Sequence, residues 1–413
     1  MNMNEGEGSS ISKEYNFPPD CLSVAPMIQW TDRHWRYFMR QITRKTILYG
    51  EMTLDSALVY NSKNLQPFLG HYDIEQPLAI QLGGCDPIKL GEAAYLCESF
   101  ANFHEINLNC GCPSNRAKKC GFGAELMLEP DLVQQICYEM KRRVTSTDIT
   151  VKCRLGVTGK ESVEDLISFI NKIRDVGIRK VILHARLCIL KGLSPAQNRT
   201  IPPLHPEIVH SMVELFPDMK FIYNGGIRSF KEAQDHLGYP NSSFLETNPT
   251  LAESYQKYPV SGVMIGREAY NNPFSFQYAD TIFFQQTSNP CTGRTKYEIY
   301  EDYLDYMITI REHAWIETDV STPAIDQHQK IRKKLIDGTN LCNLIKPLHN
   351  FFTPVLRSDE NGDHSRNHLY KQKLDLIIKE KSKDIDNGKI DLKETILLAL
   401  EDTISKEELH RVL

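Results

Sequence analysis

The most informative segment for the architecture reads ITVKCRLG at residues 149–156, SVEDLISFINKIRDV at 162–176 and KVILH at 180–184. Its first and last parts are short apolar runs rich in β-branched residues, which is typical of buried strands. In the middle part, five apolar residues recur at helical spacing and form one stripe: Val163, Leu166, Ile167, Ile170 and Ile173. The segment therefore predicts a strand, a helix that packs on the sheet and a second, parallel strand.

The same alternation extends over most of the chain before residue 267. We predict eight strands, at residues 22–26, 47–52, 78–82, 105–108, 149–155, 180–184, 220–223 and 260–265. Eight parallel strands that alternate with helices predict an α/β fold, the TIM (β/α)8 barrel. An irregular insert at residues 238–259 contains Pro240, Asn241, Asn248 and Pro249, and it predicts a surface loop before the last strand.

After Pro290 the pattern changes to helical segments without intervening strands. We therefore predict four parts: a flexible tail at residues 1–20, the barrel at 21–290, an all-helical domain at 295–378 and a charged extension at 379–413. A cluster of cations in the helical part favours an RNA-binding role, although such clusters are usually only a solvated face. The cluster comprises Lys330, Arg332, Lys333, Lys334 and Lys346.

The composition is that of a globular protein, with 41% hydrophobic and 24% charged residues. Because the formal net charge is -5, any contact with nucleic acid must come from a local basic patch. The eleven cysteines lack paired spacing, no apolar run is long enough to span a bilayer, and no arginine precedes Arg33. We expect a cytoplasmic protein with reduced thiols and without a membrane partner.

The residues at the C-terminal ends of the predicted strands are unusually polar and rich in glycine. Barrel enzymes place their catalytic groups at these ends. The set comprises Pro26, Met27, Glu51, Met52, Gln81, Asn107, Leu108, Asn109, the following Cys110, Gly111, Cys112 and Pro113, then Lys152, Arg154, His184, Arg186, Asn224, Gly225, Gly226, Gly266 and Arg267. Any single member could be an ordinary solvated side chain, but a purely structural barrel would not need the whole set.

Two groups in this set have a direct physical interpretation. Glycines after the seventh and eighth strands allow backbone N–H groups to approach a phosphate, and Arg267 could add a charged contact; the alternative is two ordinary turns. Lys152 and Arg154 alternate with apolar residues, so both project to the same side of their strand. A cation there would stabilise the anionic form of a reduced isoalloxazine. The alternative is that Lys152 pairs with a carboxylate such as Glu105.

Cys112 is the strongest candidate for a catalytic group. It follows a strand and lies between Gly111 and Pro113, in a tight exposed turn. A free thiol has a pKa of about 8.5 and is mostly protonated at neutral pH, so it can serve as a general acid. We expect Cys110 to point away from the site. Cys110, Cys112 and Cys120 lack the matching second pair of a zinc module, so no metal site is predicted.

Several motifs resemble those of the tRNA-dihydrouridine synthase family. They are SVAPMIQWTDRHWRYFMR at residues 23–40, HEINLNCGCPS at 104–114, ITVKCRLG at 149–156, HARLCILKGLSPAQNRTIPPL at 184–204, IYNGGI at 222–227 and GVMIGREAYNNPF at 262–274. The resemblance covers residues 21–276 in order. HAR, LKGLSP, NR and IPPL are particularly similar to the A-type subfamily, which acts on D-loop uridines 20 and 20a.

The resemblance implies an oxidoreductase that reduces the C5–C6 double bond of uridines in tRNA with FMN and NADPH. In such an enzyme, reduced flavin passes hydride to C6 of uracil and a cysteine protonates C5 from the opposite face. Carried over by position, Cys112 is the proton donor. The implied FMN contacts are Pro26, Met27, Gln81, Lys152, His184, Asn224, Gly225, Gly226, Gly266 and Arg267. The implied tRNA contacts are Asn109 and Arg199.

The chain departs from the family pattern in several places. Family members commonly have lysine where Ala196 stands and cysteine where Glu125 stands. The insert at 238–259 is longer than usual, and the chain beyond Leu374 extends past the typical end. The helical part matches only through NLIKPLHNFF and HSRNHLYKQKL, and there we expect Arg366 and Lys371 to face tRNA.

Two other functions remain open at this point. A flavin barrel that acts on a small molecule would not need the helical domain, and a non-catalytic RNA-binding barrel would not need Cys112 or Lys152. No dinucleotide fingerprint follows a strand, so the nicotinamide would dock transiently over the flavin. We expect a monomer. The preference for NADPH over NADH and the uridine position are not determined by these residues.

Overall fold

The computed structural model describes residues 16–240, 242–246, 248–319, 341–351, 365–381, 385, 390–403 and 410. Eight strands form a closed parallel barrel, in which each strand pairs with the next and the last pairs with the first. The strands are β1 Leu22–Val24, β2 Ile47–Leu54, β3 Leu78–Gly83, β4 Glu105–Cys110, β5 Asp148–Val157, β6 Lys180–Cys188, β7 Lys220–Asn224 and β8 Gly262–Ile265. The predicted TIM barrel is confirmed. Residues 1–15 of the predicted tail lie outside the described residues.

Helices connect the strands and cover the outside of the barrel. They are α1 Arg33–Arg40, α2 Asp55–Tyr60, α3 Gln66–Leu69, α4 Pro87–Phe100, α5 Asn115–Lys119, α6 Pro130–Arg143, α7 Val163–Asp175, α8 Pro206–Leu215, α9 Phe230–His236, α10 Ser243–Glu246, α11 Pro249–Lys257, α12 Arg267–Asn271 and α13 Ala279–Phe284. Local sequence explains where several begin: Ser162 and Asp165 form a capping box at the start of α7, and Asp86 accepts backbone N–H bonds ahead of Pro87 in α4.

β5 and β6 are longer than the predicted strands, which end at residues 155 and 184. After a register shift at Arg154, the two strands continue to pair through Gly156 with Leu187 and Val157 with Cys188. Polar side chains therefore do not mark the ends of these strands. Arg154 lies within a strand that rises above the mouth of the barrel.

The prediction of a surface loop at residues 238–259 is wrong. The segment contains helices α10 and α11, and the Tyr255 side chain is only 2% exposed. Its ring stacks on His210 of α8 at a centroid distance of 3.9 Å. Pro249, one of the residues that predicts a loop, occupies the first turn of α11, where proline is favoured.

Beyond α13, the described residues contain helices and no strand. The helices are α14 Lys296–Asp319, α15 Leu341–Ile345, α16 Ser365–Leu376 and α17 Leu392–Glu401. α14 packs directly on the barrel helix α1, because Tyr306 stacks on Tyr37 at 3.8 Å and its hydroxyl lies 2.8 Å from His34 Nδ1. Within the predicted basic cluster, Lys330, Arg332, Lys333 and Lys334 lie outside the described residues.

Helix α17 lies in the charged extension predicted at 379–413, and it packs on the helical part of the chain. Leu392, Ile396 and Leu400 are buried on one side of it. Lys393 Nζ lies 2.6 Å from Asp305 Oδ1 of α14, so an ion pair joins the two helices. Among the described residues, no helix is long and apolar enough to cross a membrane.

The guanidinium of Arg40 holds together the chain around the start of β2 and β3. It is fully buried and donates to the backbone carbonyls of Thr43, Thr46, Glu75 and Pro77 over 2.9–3.2 Å. These carbonyls belong to the loops at the N-terminal end of the barrel. Arg40 thus satisfies acceptors that would otherwise be buried without a donor.

We expect Arg40→Leu to lower the free energy of unfolding by about 3 kcal/mol or more, because several buried carbonyls lose their donor. The measurement is urea unfolding followed by circular dichroism. Arg142→Leu is the control: Arg142 is half exposed and paired with Glu139, so its loss should cost no more than about 1 kcal/mol. Equal losses in the two variants would contradict this role of Arg40.

Candidate active site

The loop after β4 holds Cys112 in a defined position at the mouth of the barrel. Asn109 Oδ1 accepts the backbone N–H groups of Gly111 and Cys112 at 3.1 and 2.9 Å. The Cys112 carbonyl in turn accepts the N–H of Ala124 at 3.0 Å. Gly123 has a φ of +68°, and a Cβ at this position would lie 2.5 Å from the Cys112 carbonyl oxygen. The loop is therefore anchored on both sides, with the Cys112 side chain half-buried.

Cys110 has a different environment from Cys112. It is completely buried in the hydrophobic core, near Cys137 and Cys153, and burial raises the pKa of its thiol well above the usual value. The expectation that Cys110 points away from the site is confirmed. A buried, protonated thiol without solvent access is not suited to proton delivery at the mouth.

Lys152 crosses the interior of the barrel from β5 to β7. Its ammonium donates to Asn224 Oδ1 at 2.9 Å, and Asn224 Nδ2 donates to the Met264 carbonyl at 2.8 Å. The alternative pairing of Lys152 with Glu105 is wrong, because Glu105 lies at the other end of β4 and pairs with Lys180 at 2.6 Å. Burial, followed by the charge of Arg154, lowers the pKa of Lys152 to about 7.

Arg154 connects two loops at the mouth. Its Nε donates to the Gly111 carbonyl at 3.3 Å, and its Nη1 donates to the Asn198 carbonyl at 2.8 Å. Asn198 is completely buried, and its side chain exchanges hydrogen bonds with the backbone of Ile189 at 2.8 and 2.9 Å. Asn198 is a functional residue that no strand-end position in the sequence indicates. Its role depends on backbone partners nine residues away, which a strand-end pattern does not reveal.

Gly225 and Gly226 follow β7 and have backbone conformations that favour glycine. Their φ angles are +125° and +76°. A Cβ on Gly225 would lie 2.9 Å from His184 Cδ2, and one on Gly226 would lie 2.4 Å from Leu204 Cδ1. Gly266, after β8, has no such constraint, because its nearest neighbours would be Ala25 Cβ at 3.6 Å and Met27 Sδ at 3.8 Å. Glycine is thus required at residues 225 and 226 by the backbone conformation and by the packing of His184 and Leu204.

The mouth is positively charged around His184. Burial lowers the pKa of His184 well below its usual value, and Arg154, Lys152, Arg186 and Arg267 lower it further. The imidazole is therefore neutral. Arg267 donates to the carbonyl of Arg199 at 3.3 Å, so these two residues lie together at the rim. A site with this concentration of cations is suited to an anionic ligand such as a phosphate.

The remaining predicted residues lie in two parts of the protein, the barrel and the helical part. The Met27 backbone N–H donates to Thr31 Oγ1 at 3.0 Å, near the end of β1 with Pro26, and Gln81 lies inside the barrel, bonded to Asn107 and Asn109. Lys371 is separate, on α16, where it donates to Asn350 Oδ1 at 2.8 Å. Arg366 also lies on α16, but its side chain lies outside the described residues.

Two buried residues beneath the mouth were missed as parts of the site. Thr150 and Glu105 hydrogen bond inside the barrel and continue a chain of polar contacts that reaches Asn109. The signal in the sequence is EINLN at 105–109, in which polar residues alternate with apolar ones in a strand buried on both faces. Among the described residues, no group of three or more His, Cys, Asp or Glu side chains could hold a metal ion.

The low pKa of Lys152 generates a prediction about stability. The unfolded chain holds this proton up to the ordinary pKa of 10.5, whereas the folded, ligand-free chain releases it at about 7. Lys152 should therefore contribute stability that increases as pH rises from 7 to 10, by an amount on the order of a few kcal/mol. Lys152→Met should remove this gain.

The measurement is urea unfolding of the ligand-free protein at about pH 6.5 and about pH 9.5. Lys172→Met is the control, because Lys172 is exposed and paired with Asp131, and this variant should keep the wild-type dependence. If Lys152→Met and wild type respond equally to pH, the ammonium is not desolvated as described.

Comparison with known proteins supports the resemblance seen in the motifs. Residues 23–242 match the family model described as Dihydrouridine synthase (Dus). A Pseudomonas putida protein named tRNA-dihydrouridine(20/20a) synthase is 42% identical over 267 residues, which cover 65% of this chain and 72% of that protein. A protein of the same name from Synechocystis sp. is 40% identical, and the match covers 69% of this chain and 78% of that protein. Another from Pasteurella multocida is 37% identical, and the match covers 72% of this chain and 84% of that protein. The chain therefore belongs to the dihydrouridine synthase family.

Proposed function

We propose that this protein is an FMN-dependent tRNA-dihydrouridine(20/20a) synthase, which reduces the C5–C6 double bond of D-loop uridines with NADPH. The observation that carries the proposal is the position of Cys112. It is anchored at the barrel mouth by Asn109, and Arg154 donates to the carbonyl of the preceding residue, Gly111. The named relatives and the family match support the same reaction.

The residues at the mouth fit a flavin phosphate and ring system. The glycine turn after β7 and the charge of Arg267 after β8 suit a phosphate, which barrels commonly bind at the loops after the seventh and eighth strands. The Lys152 ammonium suits the anionic reduced ring. We assign to the flavin the ten residues that the resemblance implied, namely Pro26, Met27, Gln81, Lys152, His184, Asn224, Gly225, Gly226, Gly266 and Arg267.

The protein's own residues have separate tasks in this reaction. Bound flavin supplies the hydride that goes to C6 of uracil. Cys112 delivers a proton from its Sγ to C5, where negative charge develops. The Lys152 ammonium provides a positive charge in the site, and the neutral His184 imidazole provides a dipole. The uridine must leave its stack to reach the thiol, because neither ring face is accessible inside folded tRNA.

We propose tRNA contacts at two places, at the mouth and on the helical part. Asn109 and Arg199 lie at the mouth, and Arg199 is exposed. Lys371 and Arg366 lie on α16 of the region 295–378, which we propose as the tRNA-binding domain. The barrel at 21–290 would supply the chemistry. We further propose that the protein acts as a monomer in the cytoplasm.

A second candidate is a flavin barrel oxidoreductase that acts on a small molecule. The cationic mouth by itself would also suit a small anionic substrate. The two candidates differ in whether oxidation of the reduced enzyme requires tRNA. A non-catalytic RNA-binding barrel would not be oxidised by either substrate.

The Cys112→Ala variant tests the proposed chemistry. It should keep FMN and tRNA binding and still accept hydride from NADPH, since none of these steps uses the thiol. Dihydrouridine formation should fall by about 10²–10⁴-fold, the usual contribution of a general acid. The measurement is single-turnover oxidation of the prereduced enzyme by unmodified tRNA.

Cys110→Ala is the matched control for this experiment. It removes a thiol two residues away that is buried in the core, so the reaction rate should stay within a fewfold of wild type. A normal rate for Cys112→Ala together with an inactive Cys110→Ala would overturn the assignment. Oxidation of wild type by a small molecule and not by tRNA would favour the second candidate.

The position of Arg199 gives a prediction about binding. Arg199→Ala should weaken tRNA binding and reduce the slope of log affinity against log salt concentration by about one, as expected for one lost phosphate contact. Arg142→Ala, on the outer side of the barrel, should change neither quantity. The measurement is filter binding between about 50 and 200 mM salt. An unchanged slope for Arg199→Ala would remove it from the tRNA interface.

A further inference from the structure

A continuous chain of side-chain hydrogen bonds runs through the barrel from its N-terminal end to the Cys112 loop. Thr150 Oγ1 donates to Glu105 Oε1, and Asn107 Nδ2 donates to Thr150 Oγ1, each over 2.8 Å. Gln81 Nε2 then donates to Asn107 Oδ1 at 2.8 Å, and Asn109 Nδ2 donates to Gln81 Oε1 at 2.7 Å. Asn109 Oδ1 accepts the backbone N–H groups of the loop. The chain is built on alternate residues of β4 and their neighbours on β3 and β5.

Both ends of this chain fix its direction. At the lower end, the Glu105 carboxylate is held by the Lys180 ammonium at 2.6 Å and can only accept, so the Thr150 hydroxyl proton points to it. The Thr150 oxygen must then accept, which turns the Asn107 NH2 group toward it and the Asn107 oxygen toward Gln81. At the upper end, backbone N–H groups can only donate, so the Asn109 oxygen must face them. Both constraints require the same orientation of Gln81, with its NH2 group toward Asn107 and its oxygen toward Asn109.

Reversal of either middle amide would be costly. Asn107, Thr150, Gln81 and Glu105 are each at most 1% exposed, so water cannot replace a lost partner. A reversed amide would place two donors or two acceptors opposite each other at each of its contacts. Asn107, Thr150 and Glu105, which do not reach the mouth, therefore favour the same direction of the Gln81 and Asn109 amides as the loop N–H groups do.

We propose that Asn107 and Thr150 are positioning residues for the reaction: by reinforcing the direction of the Gln81 and Asn109 amides from below, they strengthen the hold on the Cys112 loop. Thr150 acts through Asn107, Asn107 through Gln81, and Gln81 through Asn109. In this arrangement Gln81 keeps one N–H available for an acceptor on a ligand at the mouth. The proposal rests on the proposed function only in treating Cys112 as the reacting group.

The test replaces the hydroxyl of Thr150 by a methyl group of nearly the same size. In Thr150→Val, Asn107 loses the acceptor that fixed its direction, so the Gln81 and Asn109 amides are held only from the loop end and the bonds to the Gly111 and Cys112 N–H groups become weaker. Their hydrogen exchange should become about tenfold faster, read by mass spectrometry on peptides that span residues 109–114. Peptides from β7 and β8 should keep wild-type exchange, which distinguishes local reorientation from general loss of stability.

Two further variants control the experiment. Thr150→Ser keeps the hydroxyl and should restore wild-type exchange. Thr43→Val removes another buried threonine hydroxyl that donates to a carboxylate, Asp280 Oδ1 at 2.6 Å, but it is remote from the mouth and should not alter exchange at residues 111–112. In single-turnover reduction of tRNA, Thr150→Val should lower the rate roughly 5- to 100-fold, with Thr150→Ser near wild type.

The exchange measurement uses the protein with or without flavin, so it can be judged separately from the proposed function. Unchanged exchange at residues 111–112 in folded Thr150→Val would overturn the positioning role, as would the same change in Thr43→Val. If exchange responds as expected but the wild-type enzyme is inert toward tRNA, the positioning role stands and the proposed function fails.

Discussion

The polar interior face of β4 is the constraint on which the mouth of the barrel depends. A closed eight-stranded barrel has a packed interior, and polar side chains there must find partners within the protein. Glu105, Asn107 and Asn109 occupy that face, while Ile106, Leu108 and Cys110 pack in the surrounding hydrophobic core. Satisfying the three polar residues requires Thr150, Gln81 and Lys180 on other strands, so one strand fixes the relative placement of its neighbours.

Within the part of the chain that the structure describes, no carboxylate pairs with Lys152 or Arg154 at the mouth. The Lys152 ammonium has an amide oxygen as its partner, and Arg154 donates to backbone carbonyls. Amide and carbonyl oxygens orient these cations but do not neutralise them. The carboxylate of Glu105 lies at the other end of β4, paired with Lys180. The mouth therefore keeps an excess of positive charge, which an anionic ligand would compensate.

The sequence predicted the architecture because each strand carries its own local signal. Runs such as KVILH and ITVKCRLG indicate strands without knowledge of the rest of the chain, and the periodicity of residues 163–173 indicates the helix between them. The prediction for the insert at 238–259 was wrong for the opposite reason. Asn248 and Pro249 mark a helix start as readily as a turn, and only the packing of Tyr255 on His210 decides between the two structures. In the site, strand-end residues could be identified by position. The partners of Arg154 and Lys152 could not, since they depend on which distant loops and strands meet across the barrel.

The environment of Lys152 links ligand binding to protonation. In the ligand-free protein, burial and the neighbouring Arg154 lower its pKa to about 7, so a large fraction of molecules is neutral at this position near neutral pH. An anionic group placed beside Lys152 favours the ammonium and raises that pKa. Binding of the anion and uptake of a proton are then thermodynamically coupled, and each strengthens the other. His184 does not compete for this proton, because burial together with Arg154 and Lys152 keeps its pKa well below the usual value. Binding of an anion thus increases the positive charge of the site, because it favours protonation of a single side chain, Lys152.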